Sequence, residues 1–319
     1  MDTIRIVKID SLSTASQLSA VLALMQYIQP QIIRSIELLQ WQYLESPGGP
    51  GRIFTLWESE TLAAVYCAVA QRVQVGPIIF PGRMVQDVMT HPNYRGRGFL
   101  HRLATVCLED MRNDGAIGYT FPNELSEGSF RRTGWAELNP IPLRSKDLRS
   151  TDLQSSHLSL AYELNEPFTT LATRIWQSSN IQVGVVHDQE FLNWRYKKPS
   201  QQYRSLLLKN SSGILVLKCY DNGQKRTVHI CELFVDEQCY DLILDAILFA
   251  EAFAKFNQAD TLTAWLGPRH PYAPYFLCAN FTLVENVKRY MFVVCPQTVF
   301  AACANSSLWH ISQGDSDVY

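Results

Sequence analysis

The pattern of hydrophobic and polar positions along the chain predicts helices and strands in mixed order. Its clearest element is a helix after Gly98, in which Leu100, Leu103 and Cys107 recur at intervals of three and four residues and Gly115 marks the end. Apolar runs bounded by polar turns predict strands. We expect helices at residues 18–29, 32–43, 100–114, 124–132 and 240–256. We expect strands at residues 53–57, 62–75, 85–90, 116–121, 204–208 and 229–235.

The order of these elements repeats in the second half of the chain. Residues 39–43 read LQWQY and residues 192–196 read LNWRY, each followed by a proline and a short predicted strand. Between the halves, residues 144–156 are polar and predict a linker or a surface crossing. The repeat predicts an α+β fold of two tandem domains, residues 1–150 and 151–319, each with a mixed, mostly antiparallel sheet flanked by helices. Trp41 and Trp194 are expected to be core anchors, with the lining of an acceptor pocket as the alternative.

Composition and charge exclude several classes of protein. Apolar residues make up 47% of the 319 residues and charged residues 18%, which excludes a disordered chain. The net charge of −2 argues against nucleic acid and membrane surfaces as partners, and no apolar stretch is long enough to predict a membrane span. The eight cysteines form no C-x-x-C pair, so we expect free thiols and no metal. Because the N-terminus does not resemble a secretory signal, we expect a cytoplasmic location.

The turn at residues 94–98 (YRGRG) has the composition of an anion site. It joins a predicted strand to a predicted helix, and the first N–H groups of a helix have no internal partners. The helix dipole adds partial positive charge there, and glycines allow a tight backbone, so a diphosphate could accept several N–H bonds at once. A simple strand-to-helix turn is the alternative. The sequence matches neither the P-loop pattern nor the G-x-G-x-x-G dinucleotide pattern.

Residues 88–99 (VMTHPNYRGRGF) resemble the acetyl-CoA motif of the GNAT superfamily of acyl-CoA N-acyltransferases. The family pattern is an apolar strand, a residue pair ending in Pro, and then [QR]-x-x-G-x-[GA]. Residues 121–123 (FPN) and 130–135 (FRRTGW) resemble the family's strand-Asn and aromatic-x-x-x-Gly-aromatic elements, in the same order. The resemblance covers residues 50–140 and reaches the second half through the internal repeat, as in tandem-domain GNAT proteins. It implies two GNAT-like domains, acetyl-CoA as cosubstrate and a small-molecule amine as acceptor.

The resemblance also implies roles for particular residues. A splayed strand would pair with the pantetheine arm, backbone N–H groups of the turn would bind the pyrophosphate, and an asparagine would help to hold the cofactor. The residues expected to bind the cofactor are Val88, Met89, Thr90, Arg95, Gly96, Arg97, Gly98, Phe99, Leu100 and Asn123. Two positions depart from the family pattern. Leu100 stands where a small residue is usual, and Phe130 replaces the tyrosine that often protonates the departing thiolate.

A base must remove a proton from the attacking amine, because only the neutral amine is nucleophilic. Asp87 is one candidate, since strand alternation places it on the same face as Val85 and Met89 beside the expected thioester. The alternative is that neighbouring backbone N–H groups satisfy this carboxylate. Glu124 is the second catalytic candidate, with Glu127 beside it, and the alternative for both is that acidic residues favour helix N-termini. His91 is a further candidate, and the alternative is an ordinary loop residue before Pro92.

The sequence therefore predicts an N-acetyltransferase that moves an acyl group from coenzyme A to a primary amine, with an amino sugar among the acceptors. A non-catalytic acyl-CoA-binding module and a Fem-type aminoacyl transferase are the alternatives. In the second half, residues 237–241 (EQCYD) replace the glycine turn with acidic residues, so this domain should bind no coenzyme A and form a wall of the acceptor cleft. Residues 314–317 are expected to be a solvated tail, with a polar site element as the alternative. Acyl chain length and oligomeric state do not follow from the sequence.

Overall fold

The computed structural model describes residues 3–9, 15–149, 161–163, 167–267 and 269–316. The chain forms two compact units, Met1–Asn139 with Tyr290–Ala304, and Pro140–Arg289 with Asn305–Tyr319. The helices of the described residues are α1 (Ala15–Ile28), α2 (Ile36–Tyr43), α3 (Phe99–Asn113), α4 (Glu124–Arg132), α5 (Thr170–Ser178), α6 (Gln189–Arg195), α7 (Asp241–Phe256), α8 (Ala273–Cys278) and α9 (Phe300–Cys303).

The strands of the described residues are β1 (Ile4–Ile9), β2 (Arg52–Glu58), β3 (Thr61–Val75), β4 (Ile78–Thr90), β5 (Ile117–Thr120), β6 (Ala136–Glu137), β7 (Ile141–Asp147), β8 (Ala161–Glu163), β9 (Val183–Val185), β10 (Arg204–Leu208), β11 (Gly213–Asp221), β12 (Arg226–Val235), β13 (Thr261–Trp265), β14 (Thr282–Arg289), β15 (Phe292–Val294) and β16 (Trp309–His310).

The sheet of the first unit runs in the order β1-β2-β3-β4-β5-β15-β6. Its neighbouring strands are antiparallel except for the parallel pair of β4 and β5. Helix α3 covers one face, where Leu103, Cys107 and Met111 join a core that includes Tyr66 and Val85. The predicted period of three and four residues is thus the buried face of this helix.

The sheet of the second unit runs in the order β14-β7-β13-β12-β11-β10-β8, with one parallel pair, β12 and β13. Helix α7 packs on it through Ile243, Ile247 and Ala250. Both units therefore contain an antiparallel hairpin, a helix, a parallel strand and a second helix in this order, which is the order that the sequence repeat predicts. The predicted fold class, α+β with two mostly antiparallel sheets flanked by helices, is confirmed.

The polar stretch predicted as a linker is partly a strand. Residues 144–147 belong to β7, which pairs with β13 and β14 in the second sheet. Lys146 is buried in this strand, and its charge is compensated by Glu251 on α7, whose Oε2 lies 2.5 Å from the Nζ of Lys146. The linker prediction is therefore wrong for residues 144–147, and residues 150–156 lie outside the described part of the chain.

The two units divide at Asn139 and Pro140, whereas the sequence predicts a boundary at residue 150. The division comes earlier because β7 belongs to the second sheet. Strand β15 lies near the C-terminus but pairs with β5 and β6 of the first unit. No helix of the described residues is both long and apolar enough to cross a membrane.

Candidate functional site

The glycine turn has the backbone geometry that the sequence suggests. After a short 3-10 helix at Pro92–Tyr94, the chain passes through Gly96 with a φ of 74° and Gly98 with a φ of 75°. Gly98 is the N-cap of α3, and no side chain caps this helix. A Cβ atom at either glycine would meet nothing within 4 Å, so both glycines are required by backbone conformation and not by crowding.

The start of α3 presents backbone donors to solvent. Its first internal bond runs from the N–H of Arg102 to the carbonyl of Gly98 at 3.1 Å, so the N–H groups of Phe99, Leu100 and His101 precede the helical ladder. No acidic side chain lies in this first turn. With the positive end of the helix dipole, these donors can bind an anionic group such as a diphosphate.

The arginines of the turn are exposed but differently engaged. Arg97 donates from Nη1 to Oε2 of Glu58 at 2.8 Å, and its guanidinium lies over the ring of Phe99, 4.7 Å from the centroid. This bond lowers the pKa of Glu58. Arg95 Nε lies 3.4 Å from the carbonyl oxygen of Thr90. The backbone donors, and not the charge of Arg97, are therefore the main anion-attracting feature of the turn.

Strand β4 leaves its parallel neighbour before it reaches the turn. The ladder between β4 and β5 covers Gly82 to Met84 only, while β4 continues to Thr90. On its other side, β4 pairs with β3 up to Thr90, interrupted by a one-residue bulge at Asp87, whose φ is 49°. The β5-facing peptide groups of Val88, Met89 and Thr90 thus lie beyond the ladder, as a strand that pairs with a ligand requires.

The bulge changes the direction of Asp87, which the alternation rule places with Val85 and Met89. Val85 does pack against α3, but Asp87 follows Gln86 to the opposite face. The shared-face prediction is therefore wrong for Val85, because an extra residue in one strand shifts the alternation by one position.

On this face the Asp87 carboxylate accepts hydrogen bonds from three side chains: Tyr43 OH at 2.7 Å, Gln42 Nε2 at 3.2 Å and Arg34 Nη2 at 3.3 Å. Burial, together with the neighbouring carboxylate, raises the pKa of Tyr43 well above its usual value, so this phenol stays a donor. The alternative expected for Asp87 is that backbone N–H groups hydrogen-bond to its carboxylate. In the structure, the donors are the side chains of Arg34, Gln42 and Tyr43.

Asn123 and Glu124 lie at the start of α4, which follows β5. Asn123 is the N-cap, and its Oδ1 accepts from the N–H of Ser126 at 3.1 Å. Glu124 is exposed in the first turn, whereas Glu127 pairs with Arg131 at 3.2 Å. His91 accepts from the N–H of Asn93 and stacks on Tyr27 with ring centroids 4.9 Å apart. Their catalytic and cofactor roles stay predictions.

The family's tyrosine position, Phe130, is buried in an aromatic cluster. The ring centroid of Phe130 lies 5.3 Å from that of Trp135 and 6.3 Å from that of Tyr66. Tyr66 is 1% exposed, and neither its hydroxyl nor Nε1 of Trp135 has a hydrogen-bond partner among the described residues. Sequence reasoning missed this phenol, since a tyrosine in an apolar strand reads as core.

The second unit has the counterpart of the turn in a different form. Asp236 caps a 3-10 helix at Glu237–Cys239, as His91 caps the 3-10 helix at Pro92–Tyr94. Only one residue, Tyr240, then separates this 3-10 helix from α7, in place of the glycine turn. The first turn of α7 contains Asp241. This helix start has neither the glycine loop nor the charge that favours an anion.

The predicted solvated tail is wrong for the residues that are described. Asp315 and Ser316 are buried, and Asp315 Oδ1 lies 2.8 Å from Nε2 of His187, which is fully buried. Nδ1 of His187 faces Glu232 Oε2, also at 2.8 Å. His187, Glu232 and His310 bring possible metal ligand atoms within 4.8 Å of one another. Because both ring nitrogens of His187 face carboxylates at hydrogen-bond distance, we assign the cluster as a buried ion network.

Comparisons with known proteins agree with the motif. Residues 11–138 match the family model described as an acetyltransferase (GNAT) domain. A comparison with curated proteins finds no significant match. Among solved structures, a probable N-acyltransferase from Enterococcus faecalis V583 aligns with a TM-score of 0.66 and 13% identity over 92% of this chain and 72% of that one.

Two further structures show the same fold. A GCN5-related N-acetyltransferase from Anabaena variabilis aligns with a TM-score of 0.68 and 11% identity, covering 94% of this chain and 75% of that one. The N-myristoyltransferase of Saccharomyces cerevisiae, solved with bound myristoyl-CoA, aligns with a TM-score of 0.60 and 11% identity, covering 92% and 82%. The predicted resemblance to the GNAT superfamily is thus confirmed: residues 11–138 match its acetyltransferase domain, and the chain is similar in fold to GCN5-related N-acetyltransferases.

Proposed function

We propose that the first unit binds one acyl-CoA and transfers the acyl group to a primary amine. The observation that supports this most is the turn of Gly96 and Gly98, which exposes the N–H groups of α3 directly after a bulged strand that has left its neighbour. The acyl-CoA substrate and the amine acceptor are part of the proposal, with amino sugars as the first acceptors to test. A role of the second unit in acceptor binding stays a prediction.

The chemistry requires alignment, charge stabilisation and proton transfer. The amine nitrogen attacks the thioester carbonyl carbon, an oxyanion forms, the C–S bond breaks, and coenzyme A leaves as a thiolate. Alignment can contribute about 7–11 kcal/mol. In the proposal, a backbone N–H of Val88, Met89 or Thr90 donates to the oxyanion, and one such donor contributes about 3 kcal/mol.

The proposal assigns the amine proton to Asp87 or Glu124. The three donors on the Asp87 carboxylate hold it in one orientation and use three of its four acceptor positions, and Oδ1 accepts only from Arg34 among the described contacts. Glu124 is exposed and can accept a proton through water. The pH profiles of Asp87→Asn and Glu124→Gln decide between them, because loss of the base removes the acidic limb of kcat/KM.

The proposed function predicts thiol release from acetyl-CoA that depends on an amine, and calorimetric binding of coenzyme A at one site per chain. Purified protein should be assayed with amino sugars, polyamines and amino acids. Gly98→Glu serves as the control against a contaminating enzyme. Two equivalent coenzyme A sites, or none, would contradict the proposal.

Phe130 favours a second candidate function, a non-catalytic acyl-CoA-binding module, since the family's usual proton donor is absent. Binding without turnover across the whole amine panel would support that alternative. The intact glycine turn and the absence of a basic excess argue against an aminoacyl-tRNA substrate.

Tyr66 supplies a phenol next to Phe130, and we expect its hydroxyl to protonate the departing thiolate. The O–H proton passes to sulfur, so that coenzyme A is released as a thiol, and the phenolate recovers a proton from water that enters after the products have left. Burial raises the pKa of Tyr66 well above its usual value, so the phenol is protonated before the reaction. Tyr66→Phe should lower kcat about 10²-fold with an unchanged KM for acetyl-CoA.

A structural role of Tyr66 would give a different result. Adding Phe130→Tyr to Tyr66→Phe should restore most of kcat, and acyl donors with more acidic thiols should be less affected by Tyr66→Phe. An unchanged kcat in Tyr66→Phe would contradict the assignment while leaving the proposed acyl transfer intact.

A further inference from the structure

The second sheet has a polar face that no residue of the proposed acyl-CoA site explains. On β11, β12 and β13, Leu217, Val228 and Leu262 join the core under α7, so the alternate positions point to the opposite face. There, Lys218 is paired in register with His229, which is in turn paired with Thr263. Three polar side chains thus form a row across three strands.

Lys218 is a buried cation that has no acidic partner among the described residues. It is 8% exposed, and no residue of the described ranges accepts a hydrogen bond from its ammonium group or forms an ion pair with it. Among the described residues, the ammonium group lies over the ring of Tyr203, with Nζ 5.7 Å from the ring centroid. Burial lowers the pKa of Lys218, the direction expected for an ammonium without a neighbouring carboxylate. Because an uncompensated buried charge is costly, such an arrangement points to an anionic ligand.

A second cation lies on the same aromatic ring. The guanidinium of Arg195 is 5.8 Å from the centroid of Tyr203, and Nη1 lies 3.1 Å from the Tyr203 hydroxyl. Arg195 also donates to the backbone carbonyls of Gly314 and Ser316, at 2.7 and 2.9 Å. Arg195 therefore adds a second positive charge near Lys218.

His229 places an imidazole ring beside Lys218. Its Nδ1 lies 2.7 Å from Oγ1 of Thr263, and this oxygen also accepts from Nε2 of Gln313 at 3.4 Å. This contact holds the His229 ring in one orientation on the polar face. Tyr220, 52% exposed, lies next to this ring with centroids 6.3 Å apart and marks the open side.

We propose that Lys218 and His229 form a binding site for an oxyanion, the carboxylate or phosphate group of a small molecule that enters beside Tyr220. The ammonium of Lys218 would bind the charge, and the imidazole of His229 would lie beside the bound group. The site lies wholly in the second unit and does not depend on the proposed acyl transfer.

The test is a thermal melt of the full chain titrated with inorganic phosphate or succinate, against potassium chloride at equal ionic strength. We expect a saturable rise in Tm with at least one of the two anions. Phosphate alone would identify a phosphate ligand, and succinate alone a carboxylate. Lys218→Met keeps the apolar stem and removes the charge, so it should weaken the anion affinity about tenfold or more and raise Tm when no oxyanion is present.

Two controls separate this site from other effects. Lys225→Met removes an exposed lysine from the same hairpin and should change neither Tm nor the anion response. Gly98→Glu should keep the response, because that turn belongs to the first unit. A wild type that does not respond, a response that persists in Lys218→Met, or one lost in Gly98→Glu would overturn the proposal. If Lys218→Met fails to fold, His229→Gln replaces it, with the same loss of response expected.

Discussion

Gly98→Glu is expected to weaken coenzyme A binding by at least about 100-fold, or about 3 kcal/mol. Gly98 is the N-cap of α3 with a φ of 75°, at the point where the helix donors face solvent. A glutamate there places a carboxylate where the diphosphate is proposed to bind, and like charges repel at short distance. The left-handed conformation adds about 1–2 kcal/mol of strain, which favours movement of the turn away from its binding geometry. Calorimetric titration with coenzyme A measures the loss.

The matched control for this variant is Gly76→Glu. Gly76 also has a positive φ, 57°, and open space around its Cβ position, and it lies in the turn between β3 and β4. This substitution adds the same charge and similar strain away from α3, so coenzyme A affinity should stay within about twofold, the range of ordinary surface changes. If Gly98→Glu melts like the wild type and binds coenzyme A normally, the site assignment is wrong.

His187→Gln is expected to destabilise the second unit by about 3–5 kcal/mol, because removing one partner of a buried ion network leaves the others uncompensated. Glu232 and Asp315 face the two ring nitrogens of His187 at 2.8 Å each. Phe191 stacks on the ring with a centroid distance of 4.4 Å, and Trp176 lies 4.8 Å away, so water has little access. Urea unfolding followed by tryptophan fluorescence measures the change.

The same network predicts how stability depends on pH. Burial opposes the charged imidazolium, but Glu232 and Asp315 outweigh this effect and raise the pKa of His187 to about 10, from 6.5. Because the folded-state pKa is raised, its stabilisation is fully present below pH 6.5 and is lost as the pH rises towards 10. His187 and His310 lower the pKa of Glu232, whose contribution is lost as the pH falls below 4.5. The network should therefore stabilise the fold most between pH 4.5 and pH 6.5.

The variant and a control isolate the titration of His187. Unfolding midpoints of the wild type should fall between about pH 6.5 and pH 9.5, and His187→Gln should remove most of that slope. His101→Gln replaces an exposed histidine on α3 and should leave the slope unchanged. An equal slope in wild type and His187→Gln would show that the ring is neutral in the fold.

The sequence alone predicts most of the strand–turn–helix that forms the proposed acyl-CoA site. The helix expected at residues 100–114 is Phe99–Asn113, and the expected glycine turn has both glycines at positive φ. These features depend on interactions between residues close in the chain: the period of an apolar face, the freedom of glycine and the capping of a helix. Such rules need no knowledge of the rest of the fold. The family pattern is therefore readable over residues 88–99.

The tertiary structure decides what depends on distant partners. The bulge at Asp87 arises in the pairing of β4 with β3, and one extra residue there turns the carboxylate towards Arg34 and Tyr43. Strand β15 inserts between β5 and β6 although about 150 residues separate it from them along the chain.

The ion network shows the same limit of sequence reasoning. His187 and Asp315 lie 128 positions apart, and only folding places them 2.8 Å from each other. Local propensity is set by neighbouring residues. The register of a sheet and the burial of a charge are set by whichever segments meet, and that is why the glycine turn was predictable from the sequence whereas Lys218 and His187 were not.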